Sequence, residues 1–322
     1  MTIDIWVWVA TIAAIASILA LDLWHGLEYP HVIKTREAAI WVSCIIALSI
    51  VFGAGLWYFA GPKLGGEFFA GWITEYSLSV DNLFVFVIIM TRFKVPRQYQ
   101  SQVLLWGVLM ALVLRGAFIA AGSAVISRFS WIFYFFGAFL VYTAINLARG
   151  HGDGEFTENR LLKGVKKVAN TTDEYDGALL TTRVNGHRHF TPMLIVMIAI
   201  GSTDLLFALD SIPAIFGLTK EPYIVFTANA LALLGLRQLY FLIGGLMERL
   251  VHLSYGLSAI LAFIGVKMVF EALSGSGIHE IGPFTVPHIG IATSLAVIIG
   301  ALAVTTATSL LATRRKAGVS GS

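Results

Sequence analysis

Long apolar runs, broken at short intervals by glycine, proline and charge, dominate this chain. A helix needs about 20 mainly apolar residues to cross the hydrocarbon core of a bilayer. Nine stretches meet that length: about 3–24, 38–60, 69–91, 103–127, 130–148, 192–217, 224–247, 255–273 and 286–311. The breaks between them carry turn chemistry or charge, as in GPKLGGE at 61–67, TRFKVPR at 91–97 and LTKEPY at 218–223. No positively charged segment precedes the first run, which is longer than a signal-peptide core, so it is expected to be a retained span. The pattern predicts an all-α polytopic membrane protein, with 1–322 forming a single transmembrane domain of about nine helices.

Composition agrees with that pattern. Of 322 residues, 57% are hydrophobic and only 13% are Asp, Glu, Lys or Arg, against roughly 25% charged in soluble domains. So few charges could not coat soluble globules, and so apolar a chain is not disordered. A single cysteine excludes a disulfide scaffold, and a net charge of +3 is too small to argue for nucleic acid. The distribution of cations sets an orientation. Sixteen of the 22 Lys and Arg lie in the connections after spans 1, 3, 5 and 7 and in the C-terminal tail, and three lie in the remaining connections. By the positive-inside bias the N-terminus lies outside and the C-terminus lies in the cytoplasm, which places the protein in the plasma (inner) membrane.

The one long connection, 149–190, is then cytoplasmic. Its segment ENRLLKGVKKVA puts Leu161, Leu162, Val165 and Val168 on one helical face beside Lys163, Lys166 and Lys167. Such a helix suits the anionic inner leaflet of the bilayer. Downstream, LLTTRVNGHRHF sets Asn185-Gly186 between two β-prone runs, a hairpin signal. His187 and His189 beside that turn are more commonly a solvated hairpin edge than a metal site.

Two segments resemble each other. Span 3 contains EYSLSVDN, with Glu75 and Asp81 six residues apart, and span 6 contains STDLLFALDS, with Asp204 and Asp210 also six apart. Each precedes a span with an arginine near its middle, Arg115 and Arg237 respectively, and then an aromatic-rich span around Tyr134 or Tyr255. Spans 3–5 and 6–8 therefore look like two copies of a three-helix unit. An odd number of helices makes the second copy enter from the opposite side, the inverted repeat of many secondary transporters, with the site near the midplane.

A charged side chain at the bilayer centre costs at least ~2.5–3.5 kcal/mol. Glu75, Asp81, Asp204 and Asp210 therefore need pairing, protonation, water or a cation. Structural pairing with Arg115 and Arg237 is the plainer explanation. Four carboxylates against two guanidiniums, however, leave two negative charges, which a divalent cation would neutralise. Asn82, Ser211 and Asn229 are neutral oxygen donors nearby, and no Cys or His adjoins either motif. Oxygen ligands suit Mg²⁺, Ca²⁺ or Mn²⁺ and argue against Zn²⁺ and Cu(I).

Acids six apart on a regular helix point about 120° away from each other and lie ~9 Å apart along the axis. One ion could not easily take both acids of a straight span, and the alternative is two positions along the pathway, one acid from each pair serving each. Pro213 removes a backbone donor and crowds the carbonyl of residue 209, so span 6 is expected either to break, freeing carbonyls as ligands, or merely to kink. Asp22, near the end of span 1, lines an exit or reaches the interface. Lys267 and Glu271, four apart in span 8, suggest a pair or snorkelling ends. Cys44 is expected to be a small core residue, and the Trp, Tyr and Phe residues at span ends form interfacial belts.

The motifs SVDNLFVF, TDLLFALDSIPAIF and NALALLGLR, the ALDLW end of span 1 and the span 4 arginine resemble the TerC/Alx family of integral membrane proteins, within the LysE-like transporter group. That resemblance extends over nearly the whole chain. It implies a nine-helix exporter of manganese with a historical link to tellurite resistance, Glu75 and Asp81 matching the first acidic pair and Asp204 and Asp210 the second. Some members carry a glutamate at the position occupied here by Gly201. The implied function is export of Mn²⁺ from the cytoplasm, with Asp81, Asp204 and Asn82 at the midplane, and Glu75 and Asp210 nearer the outer face. Arg115 and Arg237 would brace the acids. Burial disfavours a bare carboxylate, so proton uptake as the metal leaves makes antiport the natural coupling. Exchange of Ca²⁺ or another divalent ion, and a non-transporting scaffold built on the 149–190 segment, are the alternatives. Mn²⁺ would be cargo and not a resident cofactor. No P-loop, nucleophile elbow or HExxH motif points to an enzyme.

Overall fold

In the computed structural model the described residues are 3–28, 33–129, 131–149, 172, 175–177, 179–184, 187–243, 252–276, 278, 280, 281, 284–287 and 289–319. They form α1 (Ile5–Glu28), α2 (Thr35–Ala60), α3 (Pro62–Arg92), α4 (Arg97–Arg128), α5 (Ile132–Ala148), β1 (Thr181–Val184), β2 (His187–Phe190), α6 (Pro192–Phe216), α7 (Pro222–Leu234), α8 (Leu236–Ile243), α9 (Leu253–Gly275), β3 (Glu280–Ile281), β4 (Phe284–Thr285) and α10 (Ile291–Val319). Eight stretches are long and apolar enough to cross a membrane, with α7 and α8 together forming one of them, and α5 is a shorter apolar helix. The chain is an all-α polytopic membrane protein.

Local chemistry explains several helix starts. Proline occupies the first turn of α3, α6 and α7, where its missing N–H is not needed and its φ is already helical. Gly61 alone separates α2 from α3. Its φ of 96° lies where a side chain would be strained, and this lets the chain reverse within one residue. Pro213 does not break α6, which continues for three more residues. It sits in the last turn, where the helix is ending, and Gly217 N–H donates to its carbonyl at 2.9 Å.

Depth in the bundle sorts the helices. The α3, α6, α7 and α9 spans are mostly buried by protein, whereas α1, α2 and α10 present most of their surface outward. The exposed side chains of these outer helices are large and apolar, including Trp6, Trp41, Val51, Trp57, Val304 and Leu311. That is the arrangement expected where lipid, as apolar as leucine, is the solvent. Cys44, expected in the core, is exposed on α2, because the buried stripe of that helix follows Ala38, Val42, Ile45, Ser49 and Gly53.

One apolar cluster joins α3, α4, α6, α7 and α8, and a second is centred on α5, α9 and α10. In the second cluster α5 and α9 cross with their backbones in contact. A Cβ placed on Gly137 would lie 2.8 Å from both Gly265 O and Val269 Cγ2. One placed on Gly265 would lie 2.8 Å from Gly137 O and 2.9 Å from Val141 Cγ2. Each helix thus presents a glycine and a valine four residues later to the same pair on its partner. The contact has the same form seen from either side, as a two-fold axis would produce.

Strands β1 and β2 pair antiparallel, with Val184 opposite His187 and Thr182 opposite His189. The turn residues Asn185 and Gly186, the His187 side chain and the amphipathic 158–169 segment lie outside the described residues. The hairpin sits at the α6 N-terminal end of the bundle, where the neighbouring Tyr175 hydroxyl donates to Phe93 O at 2.7 Å.

The Gly–Gly crossing leads to a stability prediction. Gly137→Ala and Gly265→Ala should each cost about 1–3 kcal/mol through overpacking against backbone, lowering the melting temperature of detergent-purified protein. Gly300→Ala, with nothing within 4 Å of the new methyl, should leave it unchanged or slightly raised.

Candidate ion-binding site

Arg115 is the largest fully buried side chain in the bundle. It extends from α4 between α3 and α6, and its guanidinium contacts a carboxylate on each. Nη2 donates to Asp204 Oδ1 at 3.1 Å and Nε to Asp204 Oδ2 at 3.3 Å, a two-pronged pairing. Nη1 donates to Glu75 Oε1 and, at 3.3 Å, to Ser211 Oγ. The Ser79 hydroxyl, one turn along α3, donates to Glu75 Oε1 at 3.4 Å. Glu75 and Asp204 are both buried.

Small residues bring these helices close enough to share one guanidinium. A Cβ on Gly107 of α4 would lie 2.9 Å from Ile200 Cγ2, and one on Gly201 of α6 would lie 3.1 Å from Met110 Cε. The α4–α6 contact is thus tight just before Arg115 and Asp204 along the chain. The space a side chain at residue 201 would enter is occupied by Met110. A Cβ on Gly71 of α3 would meet Ile215 of α6 at 3.2 Å and Ala228 of α7 at 3.4 Å, which closes the third side.

The cluster retains unused polar capacity. Glu75 Oε2 and both amide atoms of Asn229 are buried without a hydrogen-bond partner among the described residues. Buried polar groups are ordinarily paired, so Glu75 Oε2 within the cluster, and Asn229 Oδ1 outside it, are oxygens free to coordinate. Asp210 is half-buried and feels the charges of Arg115 and Glu75. Three carboxylates facing one guanidinium leave a surplus of two negative charges.

The sequence-derived residues divide into groups. Glu75, Asp204, Ser211 and Arg115 meet in one hydrogen-bonded cluster, with Asp210 in electrostatic reach. Asn82 and Asn229 are buried but do not belong to that cluster. The side chain of Asp81 lies outside the described residues. Arg237, expected to brace the acids, is held elsewhere. Its guanidinium pairs with Asp22 of α1, and Gln238 Nε2 donates to the same Asp22 Oδ1 at 3.5 Å. Arg237 stands on α8, which packs against α2, α3, α4 and α7, and its guanidinium turns to Asp22 of α1 and not to the acids of α6.

Among the described residues no group of three or more His, Cys, Asp or Glu side chains is arranged to hold a metal. Arg115 stands between the two carboxylates, so a cation entering there must compete with the guanidinium. Ser79 and Glu67 were missed by the sequence reading. Glu67 was assigned to the connection before span 3, although its spacing of eight from Glu75 places both on one helical face.

Comparison with known proteins places the chain. Residues 60–317 match the family model described as "Integral membrane protein TerC family". The uncharacterized membrane protein Rv2723 of Mycobacterium tuberculosis is 46% identical over 319 residues, covering 97% of this chain and 80% of that one. A Myxococcus xanthus membrane protein, STKORF319, is 43% identical over 262 residues, covering 81% and 82%. The Escherichia coli K12 protein Alx, provisionally named a membrane-bound redox modulator, is 38% identical over 308 residues, covering 92% of each chain. No solved structure matches. With most of its length matched by the family model, and relatives of such identity over nearly all of it, the chain belongs to the TerC family of integral membrane proteins.

Proposed function

We propose that the chain is a secondary transporter that exports divalent manganese from the cytoplasm in exchange for protons. The observation that carries this reading is the Arg115 cluster: two buried carboxylates, one from each half of the suspected repeat, share one guanidinium and leave one carboxylate oxygen unsatisfied. In a purely structural ion pair the remaining acceptors would be satisfied. Here Glu75 Oε2 is left open. Arg115 acts as a tethered stand-in for the cargo, holding the acids in an ion-free bundle and yielding them to a divalent cation.

The cation bias of the connections supports an orientation with the hairpin end of the bundle in the cytoplasm and the N-terminal end of α3 outside. The two-fold character of the α5–α9 contact supports an inverted repeat of spans 3–5 and 6–8, with the site between its halves. Oxygen-only ligands favour Mn²⁺, Mg²⁺ or Ca²⁺ as cargo, and family resemblance favours Mn²⁺. Proton exchange follows from desolvation. An acid that releases its cation in a low-dielectric interior is more stable protonated. The redox name of the Alx relatives finds no thiol pair here, since Cys44 is the only cysteine. Export of a redox-active metal is a chemistry that would connect such a name to this cluster.

Glu75→Gln and Asp204→Asn should each abolish Mn²⁺ efflux from loaded cells while the protein still inserts. Full efflux in both variants would refute the site. In proteoliposomes, efflux should accelerate when the receiving compartment is acidified, and a rate indifferent to an imposed pH gradient would remove the antiport. Arg115→Met should destabilise the purified protein by about 3–5 kcal/mol, the cost of leaving buried acids uncompensated. Millimolar MnCl₂ should restore much of that loss, and should not do so in Arg115→Met/Asp204→Asn.

A further inference from the structure

At the α3 N-terminal end of the bundle a cavity of about 570 Å³ opens between α3, α6, α9 and the start of α10. Its wall carries three carboxylates, Glu67, Glu221 and Glu271, and three ammonium groups, Lys63, Lys220 and Lys267. Two of the lysines have partners. Lys220 Nζ lies 2.9 Å from Glu271, and Lys63 Nζ lies 4.0 Å from Glu67. Lys267 is different. It is only 7% exposed and forms no ion pair within 4.0 Å among the described residues, although it feels the charges of Glu271 and Glu67. The stem of this lysine is buried while its ammonium lines the open cavity without a close counter-ion, so its charge acts on whatever enters.

The cavity and the Arg115 cluster are joined by a ladder of contacts between α3 and α6, each rung four residues from the last. At one end Glu75 and Ser211 meet on Arg115. In the middle Ile215 fills the notch at Gly71. At the cavity the Thr219 hydroxyl donates to Glu67 Oε2 at 2.5 Å. Glu67 and Glu75 are eight residues apart on one helix, so ~12 Å along its axis. Two polar stations thus lie on one line, separated by an apolar layer of Ile215, Ala228 and the fully buried Phe216.

We propose that this cavity is a second, low-affinity station for the divalent cation, in which the Glu67 carboxylate is the ligand and the Lys267 ammonium competes with the ion for it. This proposal rests on the transport reading above. The lysine keeps the station from trapping the cargo. A cation that has passed the apolar layer meets Glu67 and the Thr219 hydroxyl, is repelled by the ammonium, and leaves through the open mouth. Without Lys267 the same carboxylates would hold the ion. Lys267 therefore sets the affinity of the exit for its cargo.

The test is a titration of detergent-purified full-length protein with MnCl₂, alongside efflux measured against external MnCl₂. Lys267→Met should create a second class of binding sites at least tenfold tighter than anything the wild type shows outside the Glu75–Asp204 site, and Lys267→Met/Glu67→Gln should lose it. Efflux by Lys267→Met should be inhibited at roughly tenfold lower external MnCl₂. Isotherms and inhibition identical to wild type would overturn the proposal. If Lys267→Met does not insert, Lys267→Gln gives the same reading. Glu67→Gln alone should raise the external MnCl₂ needed for inhibition, and no change there counts against the proposal. Failure of the transport reading looks different: Glu75→Gln and Asp204→Asn would leave binding and efflux untouched, whatever the cavity variants do.

Discussion

A guanidinium with no access to water, inside a bundle surrounded by lipid, is the constraint on which the rest of this structure depends. Arg115 can be buried only if charged partners reach it, because an unpaired charge in that medium costs several kcal/mol. Asp204 from α6 and Glu75 from α3 supply the partners. The helices can approach closely because residues 71, 107 and 201 lack side chains at the points of contact. A larger residue at any of these would move a carboxylate away from the guanidinium. Packing in the centre is therefore subordinate to electrostatics, and the apolar residues there fill the space that the ion cluster leaves.

The periphery follows a different logic. The outward faces of α1, α2 and α10 need only be apolar, and no hydrophobic force drives them inward from lipid. Besides the apolar seating of Ile15, Leu19 and Trp8, two polar contacts hold α1. Asp22 pairs with Arg237, and the Thr11 and Tyr223 hydroxyls share a hydrogen bond at 2.7 Å. Both contacts lead to the α7–α8 segment, which carries the unsatisfied Asn229. The two intramembrane arginines thus do unlike things. One gathers the central acids, and the other ties an outer helix to the interior.

The ladder between α3 and α6 connects the centre to the cavity at the α3 N-terminal end of the bundle. Four-residue spacing along α3, and from Ser211 of α6 on to Thr219 just beyond its end, places a polar, an apolar and a second polar contact in line. Pro213 lies within this stretch without interrupting it. In the last turn of α6 it removes only the hydrogen bond to the carbonyl of residue 209, and residues 215 to 219 still reach α3.

Hydropathy along the chain determined that this is a membrane protein, located its spans although α3 and α4 begin several residues earlier and α10 ends several later than expected, and exposed Glu75, Asp204, Asp210, Arg115 and Arg237 as charges that should not be there. Those are one-dimensional facts, set by the free energy of moving each residue from water to hydrocarbon. Pairing is not such a fact. Arg115 and Arg237 occupy matching places in sequence, yet one meets Glu75 and Asp204 and the other meets Asp22, because the Arg115 side chain reaches from α4 to where α3 and α6 pack together while Arg237 reaches from α8 to α1. Glu67 looked like part of a connection until α3 proved to begin at Pro62, and Cys44 looked like core until the buried stripe of α2 ran past it. Which charges exist inside the bilayer is written in the order of residues; which of them touch depends on helix rotation and crossing, and only the packed bundle decides those.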